Sequence, residues 1–221
     1  MPPFLAPSDI ARITKSPQVT QKLRSLLQPP PKAPPPTSNF RTLFASHYPS
    51  LEANSDFNLL TKTVLTSLLT YPLTLNLLLH LSPPPSSIHL HGARAESTLP
   101  IQFWNLCPTS KITMSGYSCV TRSHGIIDCS SELRSISNSD LNVFFNPGFS
   151  SPQHLNSWSS VLADSESFYS TYLNEKERDE EILYLKGLGF EVGHVENEWA
   201  SWKVEDEGSR CNMGILSVKR K

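Results

Sequence analysis

The chain has 221 residues, room for one domain or one domain with a long tail, and its 19 basic and 20 acidic residues leave a net charge of −1. That balance gives no sign of a whole-protein affinity for nucleic acid, so no nucleic-acid partner is expected from charge, and 38% hydrophobic residues is a low share for a globular chain. The shortfall is local, because ten of the 19 prolines precede residue 40.

Residues 1–44 therefore read as a proline-rich, basic, disordered tail, and residues 45–221 as the folded domain. The charges are segregated along the chain. Basic residues outnumber Asp9 between Met1 and Arg41, whereas Glu175–Glu181 and Glu196–Glu207 are acid-rich. Cys107, Cys119, Cys129 and Cys211 form no C-x-x-C pair and no zinc-finger spacing, which suits free thiols in a reducing compartment. No secretory apolar run follows Met1, so an intracellular location is expected, mitochondrial or cytoplasmic.

Ser16-Pro17-Gln18 opens a short basic amphipathic helix, with Val19, Leu23, Leu26 and Leu27 on one face and Lys22 and Arg24 beside it. Such a helix fits a mitochondrial presequence or a solvated or docked helix. QPPPKAPPPTSN, Gln28 to Asn39, follows as a polyproline spacer. Phe57–Leu81 reads as helix broken near Tyr71-Pro72, where proline clashes with the preceding turn. Its uncharged part, Thr63–Leu81, approaches membrane-spanning length. Pro72, Asn76, His80 and the repeated Thr and Ser favour a buried soluble helix instead, so no membrane span is expected.

Ser87–His91 reads as a strand ending at Gly92, Glu96–Leu106 as a helix and Lys111–Tyr117 as a second strand. Asp140–Phe145 is a later strand closed by Asn146-Pro147-Gly148, in which Pro fixes φ and Gly permits a turn through positive φ. Leu141, Val143 and Phe145 belong on one face of it, Asn142 and Phe144 on the other. Pro152–Ala163 suits a helix with Leu155, Trp158 and Leu162 inward, and Glu166–Tyr172 is extended. Asn174 caps a helix reaching about Leu188, with Glu177 three positions on and acids crowding its first turns. Phe190–Val195 and Met213–Val218 are the closing strands. Alternating strands and helices predict a Rossmann-like three-layer α/β sandwich with a mostly parallel sheet.

Several of these pieces, taken in order, resemble a known family. TYPLTLNLLLHL (Thr70–Leu81), SIHLHGA (Ser87–Ala93), DLNVFFNPGF (Asp140–Phe149), STYLNEKERDEEI (Ser170–Ile182), NEWASW (Asn197–Trp202) and NMGILSVKR (Asn212–Arg220) carry the likeness. They are similar to the domain found behind MYND zinc fingers in mitochondrial splicing suppressor and related MYND-domain proteins. No Cys-rich block stands before the domain here, so the finger's peptide binding does not transfer. The resemblance implies a Rossmann-like domain tied to mitochondrial gene expression or protein interaction, without catalytic residues.

Reactive chemistry finds little support. His89 and His91 share a strand face, yet nothing in the spacing of His124, Asp140, His154 or His194 completes a metal site, and none is expected. His91–Glu96 stands where a dinucleotide fingerprint would lie, but Gly92 is its only glycine, and neither a P-loop nor a G-x-S-x-G elbow occurs. Cys119, His124 and Cys129 are close in sequence, which does not build a dyad. No catalytic residue and no cofactor are expected.

Two functions remain open at this stage. The first is a non-catalytic interaction domain with a protein partner. The second is a small-molecule enzyme of methyltransferase-like type, using a strand-end crevice near Gly92, Asn146 and Gly148.

Overall fold

The computed structural model describes residues 27–35, 37–51, 56–81, 85, 87–107, 111–117, 119, 121–124, 126–132, 141–151, 155–163, 165–201 and 212–221. The Ser16 helix expected from the sequence lies outside them.

Helix α1 (Phe40–His47) begins where Asn39 accepts from the Thr42 N–H and the Thr42 side chain answers to the Asn39 N–H. Phe40, Leu43 and Phe44 are buried, and the Phe40 ring meets Trp199 edge-on at 5.3 Å. The sequence boundary at residue 45 thus falls inside a core helix. The chain before it also packs: Leu27 and Ala33 lie against the core, and the Gln28 carbonyl accepts from the Tyr48 hydroxyl.

Helix α2 (Asp56–Leu81) runs unbroken through Pro72, against the expected interruption. Proline costs a helix about 3 kcal/mol, but burying each leucine returns about 1.5–3 kcal/mol. Leu65, Leu69, Leu73, Leu75 and Leu78 are all buried. Thr61–Leu81 is long and apolar enough to cross a membrane, but 61% of that window is buried inside the fold.

Strand β1 (Ile88–His91) is followed by a 3-10 turn (Ala95–Thr98) and the short helix α3 (Ile101–Trp104). Pro100 divides the helix expected over Glu96–Leu106 into these two pieces. Strand β2 (Ile112–Ser115) comes next, then β3 (Arg122–His124) and β4 (Ile127–Ser130), a short antiparallel pair that the sequence reading missed. Strand β5 (Leu141–Phe144), α4 (Leu155–Ala163), β6 (Ser167–Tyr172), α5 (Glu175–Gly187), β7 (Phe190–Glu196) and β8 (Gly214–Arg220) complete the order.

The eight strands lie in the order β3-β4-β2-β1-β5-β6-β8-β7. From β4 to β6 every pairing is parallel, while β8 runs antiparallel between β6 and β7. Helices α1, α2 and α3 cover one face through Ile88, Leu90, Ile112, Met114 and Val143. On the other, α4 and α5 pack Trp158, Leu162 and Leu185 with Phe144, Phe168 and Phe190. The fold is a Rossmann-like α/β sandwich, as the alternation of elements predicts.

A candidate site at the strand switch, and what fills it

From β1 the chain goes to β2 on one side, and β5 returns on the other. The carboxyl ends of β1 and β5 therefore flank the switch point where open α/β sheets hold ligands. Gly92 leaves β1 with φ +68°, and Asn146 and Gly148 leave β5 with φ 46° and 61°. All three residues singled out from the sequence stand in the turns that follow these two strands.

Trp158 occupies the ground between the two loops. A Cβ placed at Gly92 would stand 2.5 Å from its ring, and its indole N–H donates to the Pro147 carbonyl at 3.2 Å. The ring also meets Phe144 and Phe149 edge-on. On the β2 side, a Cβ at Gly116 would stand 2.8 Å from the Ala93 carbonyl oxygen, so the loops after β1 and β2 are pressed backbone to backbone. Gly92 does serve a close approach. What approaches is the protein's own tryptophan.

Asn146 is engaged in the same way. Its side-chain amide donates to Asn212 Oδ1 at 3.0 Å, and the Asn212 backbone N–H donates back to Asn146 Oδ1 at 3.2 Å. Thr171 joins them, accepting from the Asn146 N–H at 3.0 Å and donating to Asn212 Oδ1 at 2.7 Å. From Asn212 the network continues to Thr70 at 3.1 Å, and Thr70 donates to the Trp199 carbonyl at 2.7 Å. Asn197 closes it, donating to Thr74 and to the Asn212 carbonyl. The threonines that give α2 its polar stripe are the anchors of this buried network.

The Gly148-Phe149 turn meets a carboxyl from α5. Glu181 accepts from the Phe149 N–H at 3.1 Å and from the Ser170 hydroxyl at 3.3 Å, and has no exposed surface. Burial pushes its pKa up to about 8, with the nearby Glu177 acting in the same direction. Glu96, accepting from the Arg94 N–H at 2.7 Å, is likewise raised by burial. Sequence reading missed both carboxyls. Glu181 sits four residues from Glu177 in an acidic run that looks wholly solvated.

The imidazoles of β1 face polar partners across the sheet. His89 pairs with the Thr113 hydroxyl at 2.6 Å and the Ser115 hydroxyl at 2.8 Å, and His91 Nε2 with Asn142 Oδ1 at 3.0 Å. These bonds supply the partner that an Asn in a central strand requires. Among the described residues no three His, Cys, Asp or Glu side chains gather as a metal site. His154 and the side chain of His124 lie outside the description, and His194 instead meets the Tyr172 hydroxyl at 2.7 Å.

No family model and no curated protein matches the sequence. A solved structure of a candidate RNA methyltransferase from Pyrococcus horikoshii is similar at TM-score 0.42 and 12% identity, over 67% of this chain and 82% of that one. A likeness of that size carries no functional argument.

Proposed function

We propose that this chain is a non-catalytic Rossmann-like interaction domain. The observation that carries the reading is Trp158, seated against Gly92 at the switch point where a ligand of an α/β enzyme would lie. Asn146 and the Gly148-Phe149 turn, the other polar features of that crevice, are bonded to Asn212, Thr171 and Glu181. A site that spends its donors on its own scaffold has few left to orient a substrate. The sequence resemblance to the domain behind MYND fingers supports a protein partner and a role in mitochondrial gene expression, with a mitochondrial or cytoplasmic location.

The second reading, a methyltransferase-like enzyme, draws on the placement of Gly92 and Asn146 at the switch point of a mostly parallel sheet. Calorimetric titration of the full chain with S-adenosylmethionine separates the two. The interaction reading expects no saturable heat, and saturable binding would replace it with the enzyme reading.

A further inference from the structure

Two cysteines that stand apart in the sequence meet in the fold. Cys129 lies in β4 directly opposite Met114 of β2, and both side chains join the apolar cluster beneath α1, α2 and α3. Cys119 returns to the same place by a tight turn beyond β2, closed by its N–H donating to the Gly116 carbonyl at 2.8 Å. Its Sγ then stands 4.0 Å from the Met114 carbonyl oxygen, and the two thiols are hydrogen-bonded to each other. Both are buried. Cys107, the third cysteine among the described residues, instead donates to the Pro72 carbonyl at 3.3 Å.

The surroundings keep this pair reduced until an oxidant arrives. Burial pushes the Cys119 thiol up to about 11, the facing Cys129 thiol adds to the rise, and the Ser97 hydroxyl opposes it. Little thiolate is therefore present near pH 7, and attack on an oxidant is slower than that of an exposed cysteine. Once one sulfur is oxidised its partner is already in contact, so closure needs no search by the chain. The way in lies at the sheet edge. Strand β3, three residues long, is held in the sheet by β4 alone, and so short an edge opens at lower cost than the central strands.

We infer that Cys119 and Cys129 are a redox staple, closing to a disulfide that joins the turn after β2 to β4 when a peroxide reaches them. One thiol attacks a peroxide oxygen, giving a sulfenic acid and one water. The second thiol then displaces the sulfenic oxygen as another water and forms the S–S bond. Two electrons pass from the sulfurs to the peroxide, and both thiol protons leave in the waters. Treating the folded full chain with hydrogen peroxide, blocking the remaining thiols and digesting with trypsin tests this. Trypsin cuts after Arg122, so the staple appears as two peptides, one carrying each cysteine, linked until reduced. The expected result is that linked pair with Cys107 still a thiol, and a melting temperature raised by roughly 5 °C that falls back on reduction. Cys129→Ser should lose both the link and the rise. A folded chain that yields no linked pair, a pair that links only in denaturant, or a staple that leaves the melting temperature unchanged would overturn the inference.

Discussion

Asn146 and Asn212, 66 residues apart, both hold left-handed backbone (φ 46° and 53°) and bond to each other through side chain and main chain. The pair joins the turn after β5 to the entry of β8, and through Thr70 and Thr74 it fastens both to α2.

Breaking this link costs both a hydrogen-bond set and a backbone preference. Asn212→Gly keeps the positive φ but strands partners at Thr70, Thr171 and Asn146, and should cost about 1–3 kcal/mol. Asn212→Ala adds the left-handed penalty of about 1–2 kcal/mol and should be the less stable of the two. Urea denaturation of the three proteins checks the ranking. Equal midpoints for the glycine variant and the parent would remove the network from the account.

The Gly92–Trp158 contact should behave as one unit. Gly92→Ala pushes a methyl into the ring and strains a positive φ, so a loss of at least about 2 kcal/mol is expected. In a Trp158→Ala background the steric part of that loss should vanish, making the double-mutant cycle strongly non-additive. Additive losses would mean that the ring does not bear on Gly92.

Glu181 makes stability depend on pH in a definite direction. Its pKa rises from the ordinary 4.5 to about 8 in the fold, so the folded state keeps a proton that the unfolded chain has released. Its contribution is complete below about 4.5 and is lost as pH climbs toward about 8. The slope from this one group is at most ~1.4 kcal/mol per pH unit. Glu181→Gln, which mimics the protonated carboxyl, should flatten the decline between pH 5 and about 8. Denaturation midpoints across that range give the slope directly, and an unchanged slope would contradict the assignment.

How much of this could be read in the sequence follows from range. The alternation of Leu141, Val143 and Phe145 against Asn142 and Phe144 is a period-two signal, and β5 carries it. Asn174 caps α5 through the Glu177 N–H at 2.9 Å, a local motif whose partners are three positions apart. The β3–β4 pair has weak local signals, because Arg-Ser-His carries no apolar residue and Ile-Asp-Cys-Ser alternates over only four positions. Helix α2 was expected to break because proline's local cost is visible in sequence, while the burial that offsets it is not. At the crevice, Gly92, Asn146 and Gly148 were legible as residues needing special backbone. Their partners Trp158, Asn212 and Glu181 come from distant parts of the chain and carry no local mark of the pairing.

The central claim is that the protein's own side chains take up the switch point between β1 and β5. The most direct measurement is the indole N–H resonance of Trp158, assigned by substitution and followed while S-adenosylhomocysteine is added to the full chain. The account predicts an unmoved resonance to the limit of ligand solubility, because the ring is fixed between Gly92 and the Pro147 carbonyl. A saturable shift of that resonance would contradict it and would show the crevice opening to a ligand.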